Sequence, residues 1–416
     1  MTGLSAGEAT RQIIAALPRQ PSLRVPLDDA LDAVLAEAII SPLDIPAWTN
    51  SAMDGYAARA SDVQSASAET PVTLRVVEDI AAGAVPTTVI GPGECARIFT
   101  GAPVPDGADS VIRQEDTDLG SAEVRILASR DAGQNLRRIG EDIRRGTRVL
   151  TAGSELGPAQ LGVLASMAVS HPMIVRRPRV AILASGDELA DLDQPDAILS
   201  GMKVASSNTH TLVALVRRAG AEPVNLGIAR DDPADLTEKM EAALAADLVI
   251  TSAGISVGEH DYVRKVVGSL GGDLRFWRIR MRPGAPVGFG LIRGVPWIGL
   301  PGNPVSTMVT FELFVRPAIR WMAGRSHPWR RSVKVRVMEP VTLGPKLQHF
   351  LRVVVTRNDE ALEARLTGPQ GSGVLSSMAL ANALLIVPEG VQELAPGSMA
   401  EALLFDESEH RAEPAF

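Results

Sequence analysis

Cysteine and aromatic residues are scarce in this chain of 416 residues. Cys95 is the single cysteine, and phenylalanine, tryptophan and tyrosine together make up 4% of the sequence. One cysteine cannot form a disulfide within the chain, and it suits a reducing compartment. No run approaches the roughly 18 apolar residues of a membrane span, and the N-terminus lacks the pattern of a signal peptide. We therefore expect a cytoplasmic protein with no membrane partner, in which Cys95 is a small core residue.

Several common functional motifs are also missing. The sequence has no GxxxxGK[ST] phosphate loop, no GxGxxG turn that opens a helix after a strand, and no HExxH metal motif. Acidic residues outnumber basic ones by 49 to 41, so a nucleic-acid partner is not expected. Carboxylates, hydroxyls and arginines remain, and oxygen ligands suit Mg²⁺ that bridges a phosphate or a metal oxyanion. The residues alone therefore favour a phosphate-linked transfer reaction.

The length and the 45% hydrophobic content predict about two to four packed domains. Strands alternate with helices in the middle of the chain, which predicts a mostly parallel α/β sheet, and the last part contains about five evenly spaced strands. We assign a discontinuous helical and extended N-terminal domain, an inserted β-rich lobe, a central α/β domain and a C-terminal β-barrel-like domain. Their predicted boundaries are 1–45 plus 136–176, 46–135, 177–326 and 327–408.

Local signals divide the N-terminal segment. The residues from Ser5 to Leu17 predict a helix with a capping box, in which Ser5 is the cap and Glu8 follows three positions later. A second helix is predicted over 27–38. The proline-rich stretch 41–57 is expected to be neither helix nor central strand, and it carries Asp54 in an Asp-Gly turn.

The stretch 247–306 contains two copies of one pattern, a buried strand followed by a Gly, Ser, Asn and Pro loop and then a helix. Such loops bind anions because backbone N–H groups and the helix N-terminus face the ligand. An alternative is that they only end strands and start helices. The residues we assign to this binding role are Ser252, Gly254, Ser256, Gly258, Pro301, Gly302, Asn303, Pro304 and Ser306. Asp261 begins the first helix, and Asn303 is an expected N-cap of the second.

The segment between these loops, FWRIRMRPGAPVGFG, alternates with period two. This spacing predicts that Arg278, Arg280 and Arg282 share one strand face, opposite Trp277 and its alternating apolar neighbours. Three guanidinium groups on one face suit a phosphate or another oxyanion. The alternative is an exposed basic face paired with surface carboxylates.

Acidic side chains follow other predicted strands of the α/β domain. Glu188 and Asp231 come directly after two strands, where ligands bind in parallel sheets, and Asn208 is predicted to cap the helix after the first. Asp142 lies in RRIGEDIRRG, and the residues alone favour a solvated mixed-charge loop there over a functional site. Polar residues on one rim of the sheet are the strongest functional signal among the residues themselves.

Eight separated segments resemble the molybdopterin molybdenumtransferase family, which comprises the bacterial MoeA proteins and the E domain of gephyrin. They are NSAMDGYAARASD, TGAPVPDGADSVIRQED, RRIGEDI, ASGDEL, NLGIARDDP, TSAGISVGEHDYV, LPGNPVS and GSGVLSSMALANALLIVPEG. The resemblance covers nearly the whole chain. It implies a homodimer and Mg²⁺-dependent insertion of molybdate into adenylylated molybdopterin, with release of AMP. It also implies the molybdopterin adenylyltransferase as a candidate partner.

The resemblance also implies site residues. The expected functional acids and basic residues are Asp54, Asp142, Glu188, Asp231, Asp261, Arg278 and Arg282. The expected Mg²⁺ ligands among them are Glu188, Asp231 and Asp261. Ser377, or its neighbour Ser376, is expected to reach the site from the C-terminal domain, and another subdomain or protomer is expected to bring Asp54 and Asp142.

Some positions depart from the family pattern. Arg278 and Arg282 replace lysines, Ala285 replaces a third lysine, Ala253 stands where a glycine is usual, and Ser206 replaces an aspartate. Arginine keeps the charge but changes its geometry, whereas Ala285 removes it. A second hypothesis is therefore a diverged paralogue that acts as a molybdopterin carrier or scaffold. A third, based on the residues alone, is an unrelated nucleotide-binding enzyme.

Overall fold

The computed structural model describes residues 3–254, 262–344, 346–358 and 361–405. Its first helix confirms the predicted capping box: Ser5 Oγ accepts a hydrogen bond from the Glu8 backbone N–H at 3.2 Å, and the Glu8 carboxylate accepts from the Ser5 N–H at 2.8 Å. The helices and strands of the first 175 residues are α1 (Ala6–Ala16), β1 (Ser22–Arg24), β2 (Ile39–Ile40), β3 (Asn50–Ser51), β4 (Gly55–Ala58), α2 (Ala60–Val63), β5 (Val72–Ile80), β6 (Glu94–Ile98), β7 (Ser110–Arg113), β8 (Glu123–Ile126), β9 (Leu136–Arg137), β10 (Arg148–Leu150), α3 (Pro158–Ser166) and β11 (Met173–Val175).

Strand pairing separates a lobe from the chain on either side of it. β1 pairs with β11 and β2 pairs with β10, so the segments before and after the lobe are joined. The lobe contains a five-stranded sheet in the order β7-β4-β6-β5-β8, as its β-rich pattern predicted. Its core includes Cys95, which is fully buried and free. Burial raises the pKa of this thiol to about 12, which keeps it protonated.

Two predictions for the N-terminal segment were wrong. The helix predicted over 27–38 is only a 3₁₀ turn, Leu27–Ala30, because Val34 and Leu35 form bridges to Glu155 and Ile174 instead. Tertiary pairing overrides local helix propensity there. The stretch expected to contain no central strand ends in β4, which lies between β6 and β7. Gly55 permits this close pairing, since a Cβ at that position would lie 1.9 Å from the Ile112 carbonyl oxygen.

The central domain is an α/β sandwich. Its elements are β12 (Arg179–Ser185), β13 (Leu189–Ala190), α4 (Pro195–Leu199), β14 (Val204–Ala205), α5 (Ser207–Ala219), β15 (Glu222–Ala229), α6 (Pro233–Ala243), β16 (Leu248–Ser252), α7 (Tyr262–Ser269), β17 (Gly272–Arg278), β18 (Met281–Arg282), β19 (Pro286–Ile292), β20 (Val295–Leu300), α8 (Pro304–Thr310), a π-helix (Phe311–Val315) and α9 (Arg316–Met322).

Six strands form the central sheet in the order β15-β12-β16-β20-β19-β17. The first four are parallel and β19 is antiparallel to both of its neighbours, so five strands point the same way, as the mostly parallel prediction required. One apolar core lies under α5, α8 and α9, and a second lies under α6 and α7. α1 also packs into the first core through Ala9 and Ile13, although it belongs to the predicted N-terminal segment.

The C-terminal strands close into a ring. The elements are β21 (Ser332–Val337), β22 (Val341–Thr342), β23 (Gln348–Arg357), β24 (Leu362–Leu366), α10 (Leu375–Leu380), β25 (Ala383–Val387), β26 (Glu393–Leu394) and β27 (Met399–Leu404). The pairings run β23-β24-β21-β27-β25 and return to β23, which confirms the barrel-like prediction. Phe350, Met378 and Leu384 pack into the same core as α8, so the ring is seated on the α/β domain. Among the described helices, none has the length and apolar character of a membrane span.

Candidate functional site

A pocket of about 650 Å³ lies at the carboxyl ends of the parallel strands. Its walls come from the loops after β12, β16 and β20, the start of α5 and α8, and the end of β17. Ligands bind at this rim in open α/β sheets because the strand ends and helix N-termini converge there. The structure therefore brings both glycine-containing loops of the 247–306 stretch to one cavity, as the repeated strand-loop-helix pattern predicted.

The first loop is shaped by its backbone. Ser252 ends β16 and is buried, and the next two residues, Ala253 and Gly254, have positive φ angles of 75° and 69°. Gly254 has no room for a side chain, since a Cβ there would lie 2.4 Å from Val263 Cγ2. All three residues line the pocket. The site residues predicted further along this loop, Ser256, Gly258 and Asp261, lie outside the described residues.

The second loop, Pro301–Pro304, is held by side chains around it. Thr307 Oγ1 donates to the Pro301 carbonyl at 2.6 Å. Asn303 occupies the N-cap position of α8, but its side chain makes no capping bond; Nδ2 donates to Ser372 Oγ of the C-terminal domain at 3.0 Å instead. Residues 301 to 304 all line the pocket, whereas Ser306 is buried within α8 and bonds to Thr310 through its carbonyl.

Asn208 connects the two loops, a role that the sequence did not reveal. α5 begins at Ser207 after Ser206, so the predicted cap at Asn208 is wrong. Its Nδ2 donates to Ser252 Oγ at 3.0 Å and to the Gly302 carbonyl at 2.8 Å. The Gly302 carbonyl can only accept, which fixes the orientation of the amide. The prediction rested on local signals for the start of a helix. The actual partners are 44 and 94 residues away, so those signals could not indicate them.

Acidic side chains lie at the ends of the neighbouring strands β12 and β15. Glu188 is exposed and lines the pocket. Asp231 joins the two strand ends, because its carboxylate accepts from Ser185 Oγ at 3.4 Å and from the Asp187 N–H at 3.3 Å. Asp187 returns the contact by accepting from the Asp231 N–H at 3.2 Å. The predicted acids Glu188 and Asp231 thus share one part of the rim.

The carboxylates at this rim can be compared with the ligands that Mg²⁺ requires. Within the described residues, no group of three or more His, Cys, Asp or Glu side chains could hold a metal ion as a ready-made cage. Mg²⁺ usually takes one or two carboxylates and keeps waters or substrate phosphates as its other ligands. The exposed Glu188 carboxylate and the neighbouring Asp231 fit that incomplete protein shell, and Asp261 is the remaining predicted ligand.

The three arginines do not share one strand face, which corrects the period-two prediction. β17 ends at Arg278, and the chain turns away because Ile279 bridges to Leu4. Arg278 lines the pocket together with Trp277, although opposite faces had been expected. Arg280 Nε contacts Glu389 at 3.0 Å, and exposed Arg282 lies in β18, beside β23 of the C-terminal ring. Only Arg278 of the three lines the pocket.

The predicted acids outside the α/β domain do not line this pocket. Asp54 precedes β4 of the lobe, and its Oδ1 accepts from the Thr100 N–H at 2.7 Å and from Thr100 Oγ1 at 2.8 Å. These hydrogen bonds hold the pKa of Asp54 below its usual range. Asp142 is exposed near Ile45, whose carbonyl accepts from the Asp142 N–H.

The C-terminal domain reaches the pocket loop through a residue that was not singled out. Ser377 is buried, and its hydroxyl lies between the Arg352 guanidinium and the Val374 carbonyl. Ser376, the preceding residue of α10, is exposed. Ser372 is the residue that contacts the second loop, and it belongs to the same GSGVLSS segment.

Three descriptions of known protein families match successive parts of this chain. The description "MoeA N-terminal region (domain I and II)" matches residues 4–168, "Probable molybdopterin binding domain" matches 181–321, and "MoeA C-terminal region (domain IV)" matches 334–405. The fold and its pocket thus define a multidomain protein built around a domain of the molybdopterin-binding type.

Similar proteins support the same assignment over nearly the whole chain. A molybdopterin molybdenumtransferase of Nostoc sp. is 40% identical and covers 88% of this chain and 84% of its own length. Molybdopterin molybdenumtransferase 2 of Mycobacterium tuberculosis is 38% identical, covering 91% and 94%. The crystal structure of a molybdopterin biosynthesis moeA protein from Pyrococcus horikoshii has 27% identity and a TM-score of 0.81, covering 97% and 100%.

The chain belongs to the MoeA family of molybdopterin molybdenumtransferases. Its membership confirms the resemblance found in the separated sequence motifs. It also contradicts the third hypothesis, an unrelated nucleotide-binding enzyme.

Proposed function

We propose that this protein inserts molybdate into the dithiolene of adenylylated molybdopterin and releases AMP, in an Mg²⁺-dependent reaction of molybdenum cofactor biosynthesis. The observation that carries the proposal is the pocket in which both anion-binding loops, Glu188 and Arg278 meet. The relatives named as molybdopterin molybdenumtransferases support it. Backbone N–H groups of the loops would bind the phosphate region of the substrate, and Arg278 would hold an oxyanion by charge-assisted hydrogen bonds.

The acids divide by position. Glu188, Asp231 and Asp261 would hold Mg²⁺, which would neutralise the phosphate charge as AMP leaves. Asp54 and Asp142 lie on other parts of the chain, so we propose that a second protomer of a homodimer brings them to the site. The molybdopterin adenylyltransferase is the proposed source of the substrate. A cytoplasmic location is supported by the single buried thiol, Cys95.

A carrier or scaffold is the second candidate function. Ala285 lines the pocket at a position where the family pattern has a lysine, so one cationic side chain is missing from the wall. Molybdopterin would then bind without turnover.

Release of AMP from adenylylated molybdopterin distinguishes the two candidates. The purified protein is incubated with Mg²⁺, with and without molybdate. Molybdate-dependent release that stops when the metal is chelated supports the transferase, whereas tight binding without release moves the protein to the carrier class.

A matched pair of carboxylate variants tests the metal assignment. We expect Glu188→Gln to lower the rate about 100-fold, because the amide loses the negative charge that holds Mg²⁺. Glu222→Gln changes an exposed carboxylate at the opposite end of the same sheet and is expected to leave the rate unchanged. Asp261→Asn is expected to abolish metal-dependent turnover and spare the fold. An unaltered rate in Glu188→Gln would remove that residue from the metal site.

A further inference from the structure

Arg352 is a fully buried cation that the proposed reaction does not use. It lies in the middle of β23, opposite Leu384 of β25, and its relative exposure is 0%. Among the described residues, the hydrogen-bond acceptors of its guanidinium group include no carboxylate. A buried charge is costly unless hydrogen bonds satisfy it, so the groups around Arg352 require an explanation.

Four groups from one segment surround the guanidinium. Nη1 donates to the Gln370 carbonyl at 3.1 Å, and Nη2 donates to the Pro369 and Gly371 carbonyls at 3.2 and 3.0 Å. Nε donates to Ser377 Oγ at 3.0 Å. The Gln370 side chain also pairs with the Arg352 backbone, with distances of 2.9 and 3.2 Å. Three consecutive carbonyl groups therefore converge on one cation and fix the path of the chain from 369 to 371.

The residue after this segment contacts the second pocket loop. Ser372 Oγ accepts from Asn303 Nδ2 at 3.0 Å, and the Ser372 carbonyl accepts from the Val305 N–H at 3.1 Å. Both Asn303 and Val305 flank the N-terminus of α8, where the loop meets the pocket. The hydrogen bonds of Arg352 to residues 369–371 and those of Ser372 to the loop are thus joined by one peptide bond, which links Arg352 to a wall of the substrate pocket.

We propose that Arg352 is a positioning residue: it holds segment 369–372 so that Ser372 fixes the Pro301–Pro304 loop in its substrate-binding shape. The inference rests on the proposed function for the identity of the substrate. It gives the C-terminal ring a role in substrate affinity, although Arg352 itself is not in the pocket lining.

Affinity for molybdopterin and stability are measured together to test this role. Arg352→Met removes the guanidinium and is expected to weaken affinity about tenfold, as residues that act on a site through others can do. Val335→Ala removes buried volume from the core of the same ring and serves as the control. It is expected to lower the unfolding midpoint without changing affinity. Equal loss of affinity in both variants would reduce Arg352 to a structural role and overturn the proposal.

A milder pair of variants covers the case in which Arg352→Met does not fold. Ser372→Ala removes only the acceptor for Asn303 and is expected to weaken affinity about threefold. Arg352→Lys keeps the charge but cannot reach all four partners, so an intermediate affinity is expected. In the double variant Ser372→Ala with Arg352→Lys, the two losses should combine to less than their product, because both act on one path. Independent effects would contradict the proposed path.

Hydrogen exchange at the Val305 amide tests the same proposal without any ligand. Faster exchange at Val305 in Arg352→Met or Arg352→Lys, but not in Val335→Ala, supports it, and unchanged exchange overturns it. A wild-type protein that fails to bind molybdopterin would instead count against the proposed function, so the two failures can be told apart.

Discussion

The two loops of the pocket reach similar positions by different physical means. The loop after β16 owes its shape to its own backbone, with positive φ at Ala253 and Gly254. The loop after β20 owes its shape to hydrogen bonds from outside, which come from Asn208, Thr307 and Ser372. The shape of the first loop depends on local residue identity, whereas that of the second depends on Thr307 of α8 and on two side chains distant in sequence. Mutations should therefore affect the first loop through strain and the second through lost anchors.

The largest effect is expected from Asn208→Asp, which breaks the link between the loops. The aspartate side chain has no N–H to donate, so its carboxylate would face the Gly302 carbonyl and add negative charge beside an anion site. We expect affinity for molybdopterin to fall about 100-fold. Asn225→Asp is the control because, in the part of the chain that the structure describes, the Asn225 side chain hydrogen-bonds through its oxygen alone, which accepts from the Gly227 N–H at 3.0 Å. Similar affinities in the two variants would contradict the anchoring role.

Gly254→Ala tests the backbone-shaped loop. Alanine at a φ of 69° is strained, and its Cβ would clash with Val263. We expect the free energy of unfolding to fall by about 2–3 kcal/mol in urea titrations. Gly294→Ala, at a φ of 86° with open space around it at the start of β20, should cost only the strain of about 1–2 kcal/mol. If both variants lost the same stability, the contact with Val263 would not matter.

A smaller change of opposite sign is expected for Ala253→Gly. Glycine relieves the strain at a φ of 75°, while its greater freedom in the unfolded chain offsets part of the gain. The net increase in unfolding free energy should be below about 1 kcal/mol, measured by urea titration. Ala184→Gly changes a buried alanine of the pocket wall that has no positive φ, and it should instead lose stability. A loss in both would show that Ala253 is not strained.

The smallest effect concerns Asp54, whose turn is anchored from outside like the second loop. Its folded-state pKa lies below 3.8, so the stabilisation is present above that pH and is lost as pH falls through the lowered pKa. Thr100→Val removes the hydroxyl donor and should move the pKa of Asp54 back toward 3.8. The variant should lose less stability than wild type between neutral pH and about pH 3 in thermal unfolding. An identical acid dependence would show that the backbone N–H alone sets the pKa.

The same distinction explains what the sequence could predict. The capping box at Ser5, the buried strands β12, β16 and β20, and the rim position of Glu188 depend on neighbouring residues, and each was predicted correctly. The domain boundaries and the roles of the predicted acids are still predictions, as are those of Arg278 and Ser377.

The features that the sequence did not reveal depend on distant contacts. Asn208 was predicted to be a helix cap from local signals. Its actual partners lie 44 and 94 residues away, so nothing near it in the sequence indicates them. The period-two pattern around Arg280 contained no sign that Leu4 would bridge to Ile279 and end the strand. Ser372 could have been found only by knowing that the C-terminal ring sits against α8.

The paired strands β3 and β9 join the lobe to the rest of the chain. Ser51 lies opposite Leu136 in an antiparallel register, so the chain enters and leaves the lobe through adjacent residues. A two-residue hairpin turn such as Asn-Gly could join these positions and replace everything between them. The lobe could therefore be deleted, or exchanged between homologues, by changing the chain only at the β3–β9 pair.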